Sequence, residues 1–375
     1  MKPSYRFSEF NKDWKLKSLA EVIDIINIKN KSNLDLPILT NSARRGIIKQ
    51  LDYFEIIRNS SKNLSNLKVV EKNDFVYNPR ISKYAKFGPI NISQYNGLVS
   101  PVYKVFRAKN IDPRFLFYFF SSSKWYQQLF FYGNTGARDD RFNINDKDFL
   151  SMKIFIPEKE EQIEIVNFLE LINEKINLNN KLLNNIYELE KSVYRELFTD
   201  IDTNNLVKLD DLIEYEQPSK YIVNTVNFDE ESDIPVLTPG KTLIKGFTNE
   251  KNNVFTKIPI ILFDDFNTSM QFIDFPFKVE SSAVKILKSK NNKYSLRVLY
   301  ELMKNLNFVP IEHKRHWIDE FSKLKISIPS DKVLKKAENF NKIVSKRISK
   351  QLEIEKKLSE LKNSLLESMF LNYER

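Results

Sequence analysis

An α+β chain built twice, as two α/β globules each followed by a long helix, is the architecture the sequence predicts. Three observations lead there. The first is a repeat. A block opening Ile154-Phe-Ile-Pro157 and closing Glu188-Leu-Glu-Lys-Ser-Val-Tyr-Arg-Glu-Leu-Phe198 returns as Ile326-Ser-Ile-Pro329 to Glu360-Leu-Lys-Asn-Ser-Leu-Leu-Glu-Ser-Met-Phe370. The offset is a constant 172 residues, 329 less 157 and 370 less 198. The second is helical period. Phe168, Ile172, Ile176, Leu182, Ile186, Leu189, Val193, Leu197 and Phe198 align with Phe340, Val344, Ile348, Ile354, Leu358, Leu361, Leu365, Met369 and Phe370. Spacings of three, four and seven mark an apolar helical stripe. The third is charge. Residues 158–198 hold 5 Lys/Arg against 9 Asp/Glu, and residues 330–375 hold 11 against 7, so the two helices attract rather than repel.

Four blocks follow: globules over 1–157 and 201–329, long helices over 158–200 and 330–375. Each helix reaches about 60 Å at roughly 1.5 Å per residue. Pro157 followed by Glu158, Glu160 and Glu161 suits a helix start. The pairing face is expected to use Ile172, Ile176, Ile186, Val193 and Leu197 against Val344, Ile348, Leu358, Leu365 and Met369. Asn179 and Glu190 interrupt the first stripe, and Gln351 and Glu355 the second. Polar residues at such positions set register at some cost in stability. Orientation is open at this point, and the long segment between the copies allows an antiparallel pair.

In the first globule, Trp14-Lys-Leu-Lys-Ser-Leu19-Ala-Glu-Val reads as a strand or short helix. Short β-branched runs follow at Pro37–Thr40, Gly46–Ile48, Lys68–Val70, Asp74–Tyr77 and Val102–Phe106, divided by polar turns. A helix is predicted from about Pro113 to Phe131, and a strand Met152–Pro157 hands the chain to the long helix. The second globule repeats this path. Leu209-Asp-Asp-Leu-Ile echoes Leu19-Ala-Glu-Val-Ile, Ile234–Thr238 echoes Leu36–Thr40, and Val279–Leu287 stands where Leu98–Phe106 stood. Tyr294–Asn305 repeats the helix.

Composition narrows the function. With no cysteine among 375 residues, disulfides and thiolate metal sites are excluded. The densest apolar run, Phe115–Phe120, is too short to span a bilayer, and the opening Met-Lys-Pro-Ser-Tyr-Arg-Phe lacks a signal-peptide core, so a cytoplasmic protein is expected. The net charge of +10 sits unevenly. Residues 1–157 carry 26 Lys/Arg against 14 Asp/Glu, while residues 199–329 carry 17 against 19. The first globule thus has the electrostatic footprint of a phosphate-binding surface; the second needs a local basic patch.

Catalytic patterns are missing. Tyr77-Asn78-Pro79 is similar to the start of an Asn-Pro-Pro-aromatic methyltransferase loop, but Arg80 follows and no Phe-x-Gly-x-Gly loop exists among 7 glycines. Glu312-His313-Lys314 has half of a nuclease pattern without an upstream acid. The two histidines, His313 and His316, have no second ligand pair, and no Gly-x-x-x-x-Gly-Lys-Ser/Thr loop occurs. A binding protein remains, without metal or cofactor of its own. Basic loops interleaved with amides and aromatics supply its candidates. They are Asn41, Arg44, Arg45, Asn78, Arg80, Lys83, Lys86, Arg138, Arg141 and Asn143 in the first globule. In the second they are Lys241, Lys245, Asn267, Thr268, Lys314, Arg315, His316 and Trp317. Arginine and lysine meet phosphates or guanine edges, and asparagine meets adenine.

Some of these stretches resemble a known family, the specificity subunits of type I restriction–modification systems. They are Asp74-Phe-Val-Tyr-Asn-Pro-Arg80, Phe87-Gly-Pro, Gly97-Leu-Val-Ser-Pro-Val-Tyr103 and the join Ile154-Phe-Ile-Pro-Glu-Lys-Glu-Glu-Gln162. Phe263-Asp-Asp-Phe-Asn-Thr268 and Phe275-Pro-Phe277 resemble a second recognition type of that family, while the second helix start, Ile-Pro-Ser-Asp-Lys, lacks Glu-Gln. The resemblance implies two target-recognition domains, each reading half of a bipartite site in double-stranded DNA. It also implies an antiparallel coiled coil that fixes the spacer, two docked methyltransferase subunits, and restriction–translocase subunits. S-adenosylmethionine, ATP and Mg would then belong to those partners. The alternatives are a phase-variable or orphan recognition cassette and, third, a nuclease in the second globule.

Overall fold

The computed structural model describes residues 3–43, 45–50, 64–82, 85–135, 140–199, 205–224, 232–239, 242–290, 293–306, 308–310 and 314–370. The chain divides into two compact units. One is Met1–Leu178 with Ile354–Arg375, the other Asn179–Glu353. Each unit therefore holds one globule and one half of each long helix, a grouping that cuts across the four sequence blocks.

In the first unit β1 (Lys15–Ser18) leads through α1 (Leu19–Val22) to β2 (Ile23–Ile26), then β3 (Leu39–Ser42), β4 (Gly46–Lys49), β5 (Lys68–Val70) and β6 (Phe75–Tyr77). Next come β7 (Ile90–Ile92), β8 (Gly97–Val99), β9 (Lys104–Ala108), α2 (Pro113–Ser121) and α3 (Ser123–Tyr132). The globule closes with β10 (Asn134–Thr135), β11 (Phe142–Asn143), α4 (Asp146–Ser151) and β12 (Lys153–Ile156), before the long α5 (Lys159–Leu197). The central sheet runs β2-β9-β6-β7, and β1 pairs antiparallel with β12.

The single helix expected over 113–131 is instead two. Ser122 takes extended backbone (ψ 162°), and its Oγ donates to Phe119 O at 2.7 Å, ending α2 and starting α3. The break lets Phe119, Phe120 and Trp125 all enter the core. That core is largely aromatic: Phe75 stacks on Phe106 at 5.1 Å, and Phe120 meets Trp125 edge-on at 5.3 Å.

The second unit has β13 (Leu206–Lys208), α6 (Leu209–Leu212), β14 (Ile213–Glu216), β15 (Ile234–Leu237), β16 (Ile244–Thr248) and β17 (Ile260–Asp264). It continues with β18 (Met270–Ile273), β19 (Lys278–Val279), β20 (Val284–Ser289), α7 (Leu296–Lys304), β21 (Lys325–Ser327) and α8 (Asp331–Met369). Its central sheet is β14-β20-β17-β18 and β13 pairs with β21, so the first unit's order recurs strand for strand. The echo extends to a parallel contact, Leu237 with Val279 as Ile38 with Leu98. The internal repeat inferred from sequence is thus a repeat of topology.

Helix pairing is antiparallel. In the first unit Ile165, Val166, Leu169 and Ile172 share a core with Leu365, Leu366, Met369 and Phe370. In the second, Tyr194 packs edge-on against Phe340 at 5.6 Å, beside Leu334 and Ala337. Ile172, Ile176, Ile186, Val193, Leu197, Val344, Ile348, Leu358, Leu365 and Met369 are all buried or half-buried. Three residues of the repeat alignment are not: Leu182 and Leu189 are exposed, because the inward track of α5 is 176-183-190-197 and places Leu183 there instead, and Leu361 of α8, the counterpart of Leu189, is exposed as well. The join after β12 is fastened by side chains. Glu161 accepts from Arg6 at 2.7 Å and from the Trp14 indole at 3.1 Å, while Gln162 Oε1 accepts from Asp112 N at 3.0 Å. The second join has no Glu-Gln and uses backbone instead, with Ile328 N donating to Asn205 O at 2.9 Å and Leu334 N to Ser330 O at 3.0 Å.

Candidate nucleic-acid interface

Where β6 ends, Asn78 turns the chain outward. Its Oδ1 accepts from Arg80 N at 3.1 Å, an Asx-type turn, and its Nδ2 donates to Asn41 O at 3.0 Å. The loop returns through Gly88 at φ +84°, where a Cβ would stand 2.0 Å from Asn78 O, so no other residue fits. Between these points the loop meets the segment before α4. Phe142 N donates to Pro79 O at 2.8 Å and Ile81 N to Asp140 O at 2.9 Å, which sets Arg80 directly opposite Arg141 in an antiparallel bridge.

Directly opposed residues project to one face, where like charges repel. Both arginines are exposed, with Asp140 Oδ2 3.8 Å from Arg141 Nε. A cation pair held open in this way favours an anion between or over the two groups. Tyr77 Oη fastens both loops, 2.6 Å from Phe87 O and 3.2 Å from Phe142 O, and burial pushes its phenol pKa up, so it remains a donor. Lys86 and Asn143 stand exposed in the same two loops. Arg45, also exposed, lines a cavity of about 650 Å³ with Gly46, Asn91 and Arg114.

Asn41 does not belong to that surface. It is buried, donating to Val76 O at 2.6 Å and Pro89 O at 3.0 Å and accepting from Asn91 at 2.7 Å, so its amide is consumed in holding β3 against the central sheet. Asn78 is likewise a loop-builder, half-buried and bonded through both ends of its amide. Arg44, Lys83, Arg138 and Lys241 lie outside the described residues, as do Glu312 and His313.

The second unit assembles the equivalent loops around an acid. Asp264, at the end of β17, accepts from Phe266 N at 2.9 Å, and burial raises its pKa. Asp265 accepts from Trp317 N at 2.9 Å, and its carbonyl accepts from His316 N at 2.8 Å. Lys285 on β20 stands 3.2 Å from the Asp265 carboxylate and donates to Gln217 at 3.0 Å. The loop after β17 is thereby tied to the loop before β21, as the loop after β6 is tied to the one before β12.

Three candidates here are structural instead. Trp317 is a core residue, its ring 5.1 Å from Phe263. His316 is fully buried, with Nδ1 2.9 Å from Glu320. Thr268 is buried at φ +59°, its hydroxyl donating to Asn267 O at 2.7 Å. In each the pinned loop turns the side chain inward. Lys245, Asn267, Lys314 and Arg315 are exposed. The cations among them face acids: Lys314 lies 2.6 Å from Glu320, whose pKa it holds below the usual carboxylate range, with His316 adding to the effect. Lys245 lies 3.8 Å from Glu280, and Arg315 3.8 Å from Asp265 while donating to Ser282 at 3.1 Å. The directly opposed pair of exposed arginines belongs to the first unit, the one in which the sequence concentrates its positive charge.

Sequence reasoning passed over Asp265 and Lys285, whose pairing depends on strand register, and the aromatic end of α3. The signal for the last was present in Phe130-Phe131-Tyr132 ahead of a glycine. Among the described residues no cluster of three His, Cys, Asp or Glu could hold a metal ion, and no helix is long and apolar enough to cross a membrane.

Comparison with known proteins agrees with this geometry. Residues 11–188 match the family described as the type I restriction modification DNA specificity domain. A type I restriction enzyme specificity subunit from Escherichia coli is 43% identical over 126 residues, 32% of this chain and 31% of that protein. The match thus spans about a third of the length of that relative. A chain solved for complex assembly and conformational transition of the type I restriction–modification system superposes with a TM-score of 0.51 at 14% identity, covering 96% of this chain and 98% of that one. The type I restriction–modification S subunit from M. genitalium gives 0.49 at 14% identity, covering 100% of both chains. At such identity the 0.51 superposition speaks for the fold, and the likeness to the family is carried by the sequence match, which spans the Arg80 and Arg141 loops. The family match therefore covers residues 11–188, just under half of the chain, and takes in the loops of Arg80 and Arg141.

Proposed function

We propose that the chain is the DNA-recognition subunit of a type I restriction–modification complex. In this role each globule reads one half of a bipartite site in double-stranded DNA. The paired helices set the spacer and carry two methyltransferase subunits, with restriction–translocase subunits completing the assembly. Catalysis, S-adenosylmethionine, ATP and Mg fall to those partners. The observation that carries the reading is the directly opposed, exposed pair Arg80 and Arg141, within the matched domain and in the chain's most basic segment. Partner docking is supported by leucines that α5 leaves exposed at heptad spacing, Leu171 with Leu178 in one unit and Leu182 with Leu189 in the other.

The test is duplex binding measured across salt concentrations for Arg80→Ala and Arg141→Ala. If the arginine meets a phosphate, its removal lowers affinity on all sequences and reduces the salt slope by about 0.9. If it meets a base edge, its removal relaxes one position of the site by roughly 1–3 kcal/mol. Unchanged affinity and specificity in both variants would remove this surface from the interface.

A further inference from the structure

Helix α3 ends in three aromatic residues that the fold leaves outside. Phe131 is 83% exposed and Phe130 69%, with Tyr132 beside them. Contiguous exposed rings of this size mark a contact surface on a folded protein. Phe130 ties this helix end to the body of the globule. Phe130 lies 6.3 Å from Phe131 and 6.4 Å from Phe87, and Phe87 packs on Phe142 at 4.8 Å. Phe87 and Phe142 belong to the two loops that carry Arg80 and Arg141. Gly133 completes the join. Its N–H caps α3 on Leu129 O at 2.9 Å, and a Cβ there would stand 2.1 Å from the Phe142 ring. The aromatic helix end and the arginine bridge are therefore one packed assembly, with Lys86 exposed alongside.

A partner that suits this surface must present anionic groups beside apolar ones, and duplex DNA offers an anionic backbone and an apolar base stack together. We infer that Phe131 is an apolar wedge that enters duplex DNA between neighbouring base pairs while Arg80 and Arg141 hold the flanking phosphates. The inference rests on the DNA-recognition reading above and extends it, since a wedge lets this globule read the deformability of a base step as well as base edges.

The experiment uses the full chain and a duplex it selects from a random-sequence library, with 2-aminopurine placed at successive positions. Fluorescence should rise at one step on binding, reporting unstacking. Phe131→Ala should abolish that rise and weaken binding about ten- to hundredfold. Phe131→Leu, which keeps an apolar wedge, should retain the rise, and Arg141→Ala should weaken binding without removing it. Absence of a rise at every position, or a Phe131→Ala variant with affinity and rise intact, overturns the wedge while leaving DNA recognition standing. A variant that keeps both yet no longer binds a methyltransferase subunit makes the aromatics a protein-docking surface and likewise overturns it. Failure to select any duplex, with no effect of Arg141→Ala on binding to bulk DNA, removes the recognition reading and the wedge with it.

Discussion

At Asp265 a carboxylate with 1% exposure accepts the Trp317 amide and faces Lys285, itself 1% exposed, at 3.2 Å. Such a pair gains little over an apolar pair of equal volume, but removing one partner strands the other charge away from water. Asp265→Ala should therefore destabilise the chain by about 3–5 kcal/mol in urea denaturation, and Asp265→Leu combined with Lys285→Met should recover most of that stability. A single-variant cost under about 1 kcal/mol would mean that the pair does not hold the loops. Arg80 and Arg141 differ in kind. Their groups are solvated, so their substitution should spare the unfolding midpoint and change only binding.

Among the elements, the seam between α5 and α8 contains its own register mark. Asn179 Nδ2 donates to Gln351 O at 3.1 Å, and both side chains are buried. The two residues are 172 apart, which is also the repeat offset, so equivalent positions of the two copies meet across the seam. In an antiparallel pair of repeats that can happen only at the middle, and a polar contact there disfavours a slipped register. Asn179→Leu should raise thermal stability, by on the order of 1 kcal/mol, while loosening register. Spin labels replacing the exposed Leu171 and Leu361 should then give a broader distance distribution than in the unsubstituted helices. A narrow, unshifted distribution would assign register to the apolar residues alone. Glu190, the other polar interruption of the first stripe, is held by Arg297 of α7 at 3.0 Å, and its burial raises its pKa.

For the whole molecule, two units with the same central-sheet order and different loops would make recognition, as proposed above, a separable property. The sheets β2-β9-β6-β7 and β14-β20-β17-β18 share their order, while the loops they carry present two directly opposed arginines in one and a lysine paired with Glu320 in the other. Replacing residues 201–329 with the matching segment of a relative should change one half of the recognised site and leave the other as it was. Sequencing the methylated positions of a host carrying the chimera would show this. Simultaneous change in both halves would defeat the two-reader scheme.

By itself the sequence determined what is local and periodic. The apolar period, repeat offset and opposed charges gave two paired helices, and β-branched runs between polar turns gave strands close to their observed ends. The basic bias of residues 1–157 likewise pointed to the unit in which Arg80 and Arg141 stand exposed and directly opposed. Tertiary structure decided what depends on residues far apart in the chain. Asn41, Thr268, His316 and Trp317 look like surface candidates by type, yet loops pinned to Asp265 and to the β3 region turn them inward. Leu182, Leu189 and Leu361 fit the apolar period but face outward, because the partner helix selects which of two adjoining stripes is buried. The break at Ser122 follows from the aromatic core it serves, and α3 ends at Gly133, where only a glycine leaves room for the Phe142 ring. Period and composition are properties of neighbouring residues, whereas burial and partnership are settled only when segments tens to hundreds of residues apart close on one another.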